Sequence, residues 1–182
     1  GKKSNGLPCV ESGKEIDLRT LGIDVVFPLL HGPYGEDGTF QGLCEMMNIP
    51  YVGSGVLASA VAMDKSFAKP IFASHGLAVA PGIVLTQGEW SANKSASLAR
   101  TQSLGFPLFV KPARSGSSRG TTKVKSSEQL SDAIESAFMH DPKILIEAAV
   151  IGREIECGVL EISGVPHTSV VGEVRVLGNH EF

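Results

Sequence analysis

One stretch limits the fold more than any other: Ile23 to Leu30, an apolar run with β-branched residues bounded by Gly22 and His31. Such a run reads as a strand buried on both faces, the kind found in a sheet covered by helices. A Gly-rich turn follows. Then Phe40, Leu43, Met46 and Met47 recur at helical spacing, so Thr39 to Asn48 is expected to be a helix with one apolar stripe. Strand, loop and helix in that order predict an α/β unit, with His31 at the strand's carboxyl end, where open α/β sheets bind ligands. Ile49 to Val52 reads as a short strand, and Gly53-Ser54-Gly55 as a break where domains could meet.

The rest of the chain has a different rhythm. Asp64 is placed to cap a helix that ends before Gly76, although Pro70 inside it should kink it or cost on the order of 3 kcal/mol. A strand at Gly82 to Thr86, a helix near Ser95 to Leu104 and a strand at Leu108 to Lys111 come next, and then the loop Pro112 to Gly120. Thr121 to Val124 should return as the partner strand. Ser126 with Gln129 three residues later forms a capping-box pattern for a helix carrying Leu130, Ile134, Ala137 and Phe138 on one face. Lys143 to Val150 then reads as a strand. Glu154 to Ile162 and Ser169 to Val176 read as two more, joined through Ser163-Gly164.

Composition narrows the function. With 182 residues, 42% of them apolar, the chain can bury a sizeable core as one or two domains. A net charge of -3 and the absence of any Lys/Arg run argue against nucleic acid and against a polybasic membrane anchor. The apolar runs fall well short of the roughly 20 residues needed to span a bilayer. Cys9, Cys44 and Cys157 lie far apart with no CxxC, which fits a reducing cytoplasm. No signal peptide is visible, and the start at Gly1 without Met looks like a cut. Small-molecule chemistry is the expectation that remains.

Two segments carry polar chemistry. The loop Lys111 to Gly120, KPARSGSSRG, holds two Gly, three Ser and three cationic side chains between two short strands. Such a loop can wrap phosphates through close backbone approach, hydroxyl and amide donors, and cationic side chains. It is not a Walker loop, because the GxxxxGK[ST] order is absent and a strand follows it. A solvated hairpin loop reads equally well from chemistry alone. HGPYGEDGT at 31 to 39 is the second segment. There Asp37 or Thr39 could simply cap a helix, and Glu36 could favour its positive end. Taken singly, Lys65 reads as a surface lysine, and Glu147 and Glu154 as partners of Lys143 or Arg153 or as acceptors for a nucleotide. His75, His140, His167 and His180 show no metal-ligand spacing.

In order along the chain, HGPYGEDGTFQG, YVGSGVLASAVAMDK, FVKPARSGSSRG, ILIEAAVIGREIE and the closing GEVRV resemble the D-alanine:D-alanine ligase family of the ATP-grasp superfamily. The resemblance runs from about Ile23 to the chain end, and residues 1 to 22 look like a variable insertion. It implies the end of an N-terminal Rossmann-like domain (1–53), a central ATP-grasp subdomain (54–147) and the start of a C-terminal ATP-grasp subdomain (148–182), together α/β and α+β. The implied activity is ATP-dependent joining of two D-alanines through an acyl phosphate, for cell-wall peptidoglycan, by a cytoplasmic homodimer.

The resemblance also implies roles for particular residues. Lys65 and Lys111 match lysines that hold ATP phosphates. Ser115, Gly116, Ser117, Ser118 and Gly120 match the loop that closes over those phosphates, and Ser117 also matches a serine that helps hold the first D-alanine. Glu147 and Glu154 match acidic residues facing adenine and ribose. His31 matches a histidine near the first D-alanine's carboxylate, with Glu36 supporting it. Magnesium or manganese is implied too, but its ligands are expected beyond residue 182. The family's glycine-rich N-terminal motif, its mobile loop and its transition-state arginine do not occur in the 182 residues. The resemblance therefore implies a partial record that is inactive alone. Ala148 stands where the family often has Lys. D-lactate or D-serine as acceptor, and a nucleotide-binding module without catalysis, are the rival readings.

Overall fold

The computed structural model describes residues 3–4, 7–8 and 18–175. They divide into two compact units, one up to Ala148 and one from Ala149 onward. Near the start, β1 (Lys3–Ser4) pairs antiparallel with β2 (Leu7–Pro8), and a 3-10 turn spans Leu18–Leu21.

The stretch from Ile23 to Leu30 departs from its sequence reading. It is extended, but among the described residues its only β contact is one parallel bridge, Val26 with Tyr51, and Val25, Phe27 and Leu29 are exposed. Two features explain the difference. Pro28 has no N–H to give a ladder, and among the described residues no further strand lies beside this one. The reading of Ile49 to Val52 as a strand shrinks to the same bridge. Helix α1 (Thr39–Met46) forms as its spacing predicts. However, it buries Gln41 and Cys44, whereas Leu43 and Met46 of the apolar stripe are exposed.

Helices α2 (Val56–Met63) and α3 (Lys65–Ser74) meet at Asp64, whose carboxylate accepts the Ser66 N–H at 3.0 Å and caps α3. The helix runs through Pro70 to Ser74. It goes without the one hydrogen bond that a proline cannot donate.

The centre of the first unit is an antiparallel sheet in the order β3-β6-β4-β5, made of β3 (Gly82–Thr86), β4 (Leu108–Pro112), β5 (Thr122–Val124) and β6 (Lys143–Ala148). These bounds lie within two residues of those the sequence predicts. Side chains in a strand alternate between faces, so Leu85, Leu108, Val110, Val124, Ile144 and Ile146 form one buried layer. Helix α6 (Leu130–Phe138) covers that layer with Leu130, Ala133, Ile134 and Ala137. Burying each such Leu or Ile fully stabilises the fold by about 1.5–3 kcal/mol. The predicted capping box does not form: Ser126 makes no cap bond, and Gln129 Oε1 accepts the N–H of Lys125, one residue before the cap, at 2.9 Å. Between β3 and β4, α5 (Lys94–Gln102) follows α4 (Gln87–Ala92), which the sequence reading passed over. A full capping box between Thr86 and Glu89 starts α4, and Trp90 anchors it in the core.

The second unit holds β7 (Glu154–Glu156), β8 (Val159–Ile162), β9 (Val165–Thr168) and β10 (Gly172–Val174). Strand β8 pairs with β9 across Ser163-Gly164, both at positive φ as a two-residue hairpin turn needs. Strand β10 returns to β7. The turn is thus where the sequence puts it, but the first strand expected there is split into β7 and β8, and β9 falls before the second. Of that second strand, Ser169 to Val171 is not strand, Gly172–Val174 is, and Val176 lies outside the described residues.

Candidate active site

The face of the sheet opposite the core carries charge. Lys111 lies opposite Leu145 in the β4–β6 register, so Glu147, two residues further, is its diagonal neighbour on that face. The Glu147 carboxylate is buried and paired twice, by Lys111 and by Lys69 of α3. Gly82 makes room for it, since a Cβ there would sit 2.9 Å from Glu147 Cγ. Burial pushes the Lys111 ammonium below its ordinary range, and Lys69 and Lys65 push it further the same way. A cleft of about 320 Å³ lies along this face, lined by Lys65, Lys69, Pro70, Pro81, Ile83 and Leu145 among others.

Lys65, the first residue of α3, reaches the glycine-rich loop. Its backbone N–H donates to Ala113 O at 3.1 Å and its Nζ to Ser115 O at 2.5 Å. Burial lowers its pKa, while Asp64 and Asp141 oppose that. Asp64 is itself held, because its second oxygen takes Lys143 Nζ at 2.5 Å. At the base of the loop, buried Asp141 accepts from Arg114 through the backbone N–H at 2.9 Å, Nε at 3.1 Å and Nη2 at 2.8 Å, and from the Lys143 N–H at 3.0 Å.

The loop's tip has an unusual backbone. Ser117 and Ser118 sit at φ 48° and 55°, a region that non-glycine residues rarely occupy. Ser115 Oγ donates to Arg119 O at 3.0 Å and the Arg119 N–H to Gly116 O at 3.1 Å, so the loop is closed by its own bonds. Among the described residues, the Gly116, Ser117 and Ser118 amides donate to no backbone carbonyl. Amides left unpaired on a tight turn suit an anion. Gly120 ends the loop at φ 73°, where a Cβ would lie 2.5 Å from the His140 ring and 2.9 Å from Pro112 Cγ. Gly120→Ala is expected to destabilise the first unit by about 1–3 kcal/mol. Urea unfolding measures this, and an unchanged midpoint would show that the loop tolerates a side chain there.

The segment 31 to 39 faces the same loop. Glu36 folds back to accept the Gly32 N–H, and Asp37 accepts the N–H groups of Tyr34 at 2.8 Å and Thr39 at 3.0 Å. Asp37 stays below the usual carboxylate range because these bonds outweigh its burial. A cavity of about 540 Å³ is lined by His31, Glu36, Ser115, Gly116 and Ser117 together with Arg114 and Arg119. An adjoining one of about 550 Å³ shares Glu36, Ser115 and Gly116 and adds Lys65 and Gln41.

Of the sequence-predicted residues, the structure thus brings His31, Glu36, Lys65, Ser115, Gly116 and Ser117 around one pair of cavities. Lys111 and Glu147 meet on the adjacent sheet face, and Ser118 and Gly120 complete the loop. Glu154 belongs to the second unit, where it opens β7 opposite Val174. Sequence reasoning missed Lys69 and Asp141. Lys69 had a signal, since it stands one helical turn after Lys65 on the same face of α3. Asp141 had none, because its partner Arg114 is distant along the chain.

Comparisons with known proteins identify the family. Residues 71–182 match the family model described as D-ala D-ala ligase C-terminus, and residues 6–54 match D-ala D-ala ligase N-terminus. The chain is 56% identical over 163 residues to a D-alanine--D-alanine ligase of Paenarthrobacter aurescens, covering 88% of this chain and 43% of that protein. With the Streptomyces coelicolor D-alanine--D-alanine ligase it shares 54% over 169 residues, 90% of this chain and 43% of the relative. Among solved structures, D-alanyl-alanine synthetase A from Vibrio cholerae superposes with a TM-score of 0.77 at 38% identity, covering 85% of this chain and 46% of that one. The VanG D-Ala:D-Ser ligase from Enterococcus faecalis does so with 0.75 at 40%, over 82% and 43%. The chain spans less than half the length of these relatives.

Proposed function

The chain belongs to the D-alanine:D-alanine ligase family, and from that premise we propose that its protein joins two D-alanines at the expense of ATP for peptidoglycan precursor synthesis. One observation carries the reading: His31 and Glu36 share a cavity with Ser115 to Ser117, and the adjoining cavity adds Lys65. An amino-acid carboxylate beside the first pair would therefore lie next to phosphates held by the loop.

In this reading the first D-alanine's carboxylate oxygen attacks the γ-phosphorus, the bond to the ADP oxygen breaks, and an acyl phosphate forms. The second D-alanine's amine then attacks the acyl carbon, phosphate leaves, and the amine loses a proton to give the amide. Negative charge crowds as the phosphoryl group moves, so the work asked of the protein is mainly positioning and charge neutralisation. Lys65 and Lys111 bind phosphate oxygens, and the Ser115–Gly120 loop supplies amides and hydroxyls and excludes water that would hydrolyse the acyl phosphate. Ser117 and His31 orient the first D-alanine, and Glu36 supports the 31–39 turn through the Gly32 N–H. Glu147 serves the adenosine end.

Among the described residues no three His, Cys, Asp or Glu side chains cluster so as to hold a metal ion. The magnesium or manganese that the family implies finds no ligand set here, and no step is routed through it. We also read the protein as a cytoplasmic homodimer. The free thiols of Cys44 and Cys157 support a reducing compartment, and among the described residues no helix is long and apolar enough to cross a membrane.

The test is phosphate release from ATP by the complete gene product with D-alanine, D-serine or D-lactate as acceptor, and mass spectrometry of the product. Release that depends on D-alanine and yields the dipeptide supports the reading. Faster turnover with another acceptor would move the assignment to that acceptor, a choice that the likeness to a D-Ala:D-Ser ligase makes worth measuring. No release with any of the three would sink the ligase reading.

A further inference from the structure

Glu147 has two cations where one would neutralise it. Its Oε2 meets Lys111 and its Oε1 meets Lys69, and its side chain is only 5% exposed. The two lysines are not equivalent. Lys69 is fixed a second time, by donating to Ala80 O at 2.8 Å. Lys111 has no other acceptor among the described residues, and it projects from the strand that runs directly into the glycine-rich loop.

This asymmetry matters when a polyanion arrives. For Lys111 to bind a phosphate oxygen it must give up Glu147, and a buried carboxylate stripped of its only cation is heavily penalised. With Lys69 remaining in place, that penalty does not arise. We infer that Lys69 is a positioning residue for the nucleotide: it keeps Glu147 neutralised and in place, so that Lys111 is released to the phosphates. The inference deepens the proposed function, resting on the reading of Lys111 as a phosphate ligand.

Two further observations agree. Lys69 and Lys111 share one carboxylate, and Lys65, whose Nζ bonds Ser115 O, adds positive charge that acts on Lys111, so an anion would suit this face. Lys65 and Lys69 are also one turn apart on α3, so one helix directs one lysine to the loop and the other to the sheet.

The experiment is calorimetric titration of ATP into the complete gene product and its variants. Lys69→Met is expected to weaken ATP binding about tenfold or more, because the departing Lys111 then leaves Glu147 unpaired. Binding to this variant should take up a proton near neutral pH, as Glu147 is neutralised by protonation instead. Repeating the titration in buffers of different ionisation enthalpy shows this. Lys69→Arg keeps the charge and should stay within about threefold of the parent. In a Glu147→Gln background there is no carboxylate to neutralise, and Lys69→Met should then cost less than about twofold.

Parental affinity in Lys69→Met would overturn the inference. So would an equal loss in the Glu147→Gln background, because Lys69 would then be acting on the nucleotide or on the fold by itself. If the Met variant does not fold, Lys69→Gln, which can still donate to Ala80 O, carries the same comparison. A parent protein that does not bind ATP would overturn the functional reading instead, a result the variants cannot mimic.

Discussion

Lys111→Met is expected to lower kcat/KM for ATP about 10³-fold, a loss of roughly 4 kcal/mol of transition-state stabilisation. The side chain is 28% exposed on the charged face of the sheet. Met keeps its hydrocarbon stem, and Lys69 remains to neutralise Glu147. Folding should therefore lose no more than about 2 kcal/mol. The separation between the two effects is the informative part. Steady-state phosphate release over a range of ATP concentrations reads the first, and urea unfolding reads the second. If activity falls only in proportion to stability, Lys111 is a structural lysine and its place beside the loop has no bearing on the nucleotide.

The central hairpin was legible because its determinants are local. Leu108, Phe109 and Val110 make a short apolar run, Thr121 to Val124 is rich in β-branched residues, and the loop between them is dominated by Gly, Ser and cations. Helix α6 was legible for the same reason, its Leu130, Ile134 and Ala137 falling on one face. The misreadings have separate causes. Ile23 to Leu30 has the composition of a central strand, but composition does not supply neighbours, and Pro28 limits what a neighbour could bond to. On α1, the stripe of Phe40, Leu43 and Met46 suggested the buried face. Burial instead went to Gln41, whose Nε2 donates to Gly35 O at 3.0 Å, and to Cys44. Helix α4 was readable from its Thr86–Glu89 box but is only six residues long. The loop with its lysines came from the sequence. The ion pairs of Lys111 with Glu147 and of Arg114 with Asp141 came only from the folded chain, because ion pairing across a sheet leaves no periodic trace.

Asp141 should show itself through stability and through pH. Asp141→Ala leaves the Arg114 and Lys143 N–H groups without their acceptor. The Arg114 side chain is 51% exposed and can rehydrate. The cost is then mainly that of the two amides, about 2–4 kcal/mol, and the loop that begins at Arg114 loses its anchor, so KM for ATP should rise with it. The pH signature separates charge from shape. Burial alone would raise the Asp141 pKa, but the Arg114 and backbone hydrogen bonds prevail and hold it below the ordinary carboxylate range. A folded-state pKa below the unfolded one means that the stabilisation is complete above the unfolded value, about 3.9, and is lost as pH falls through the folded value. Asp141→Asn keeps one acceptor and cannot titrate. The stability difference between parent and Asp141→Asn should therefore be constant from neutral pH down to about pH 4 and shrink below it. Subtracting the variant cancels the other depressed carboxylates, Asp64 and Asp37 among them. A difference that is the same at pH 7 and at pH 3 would mean that Asp141 holds the loop through shape and hydrogen bonding, with its charge contributing nothing.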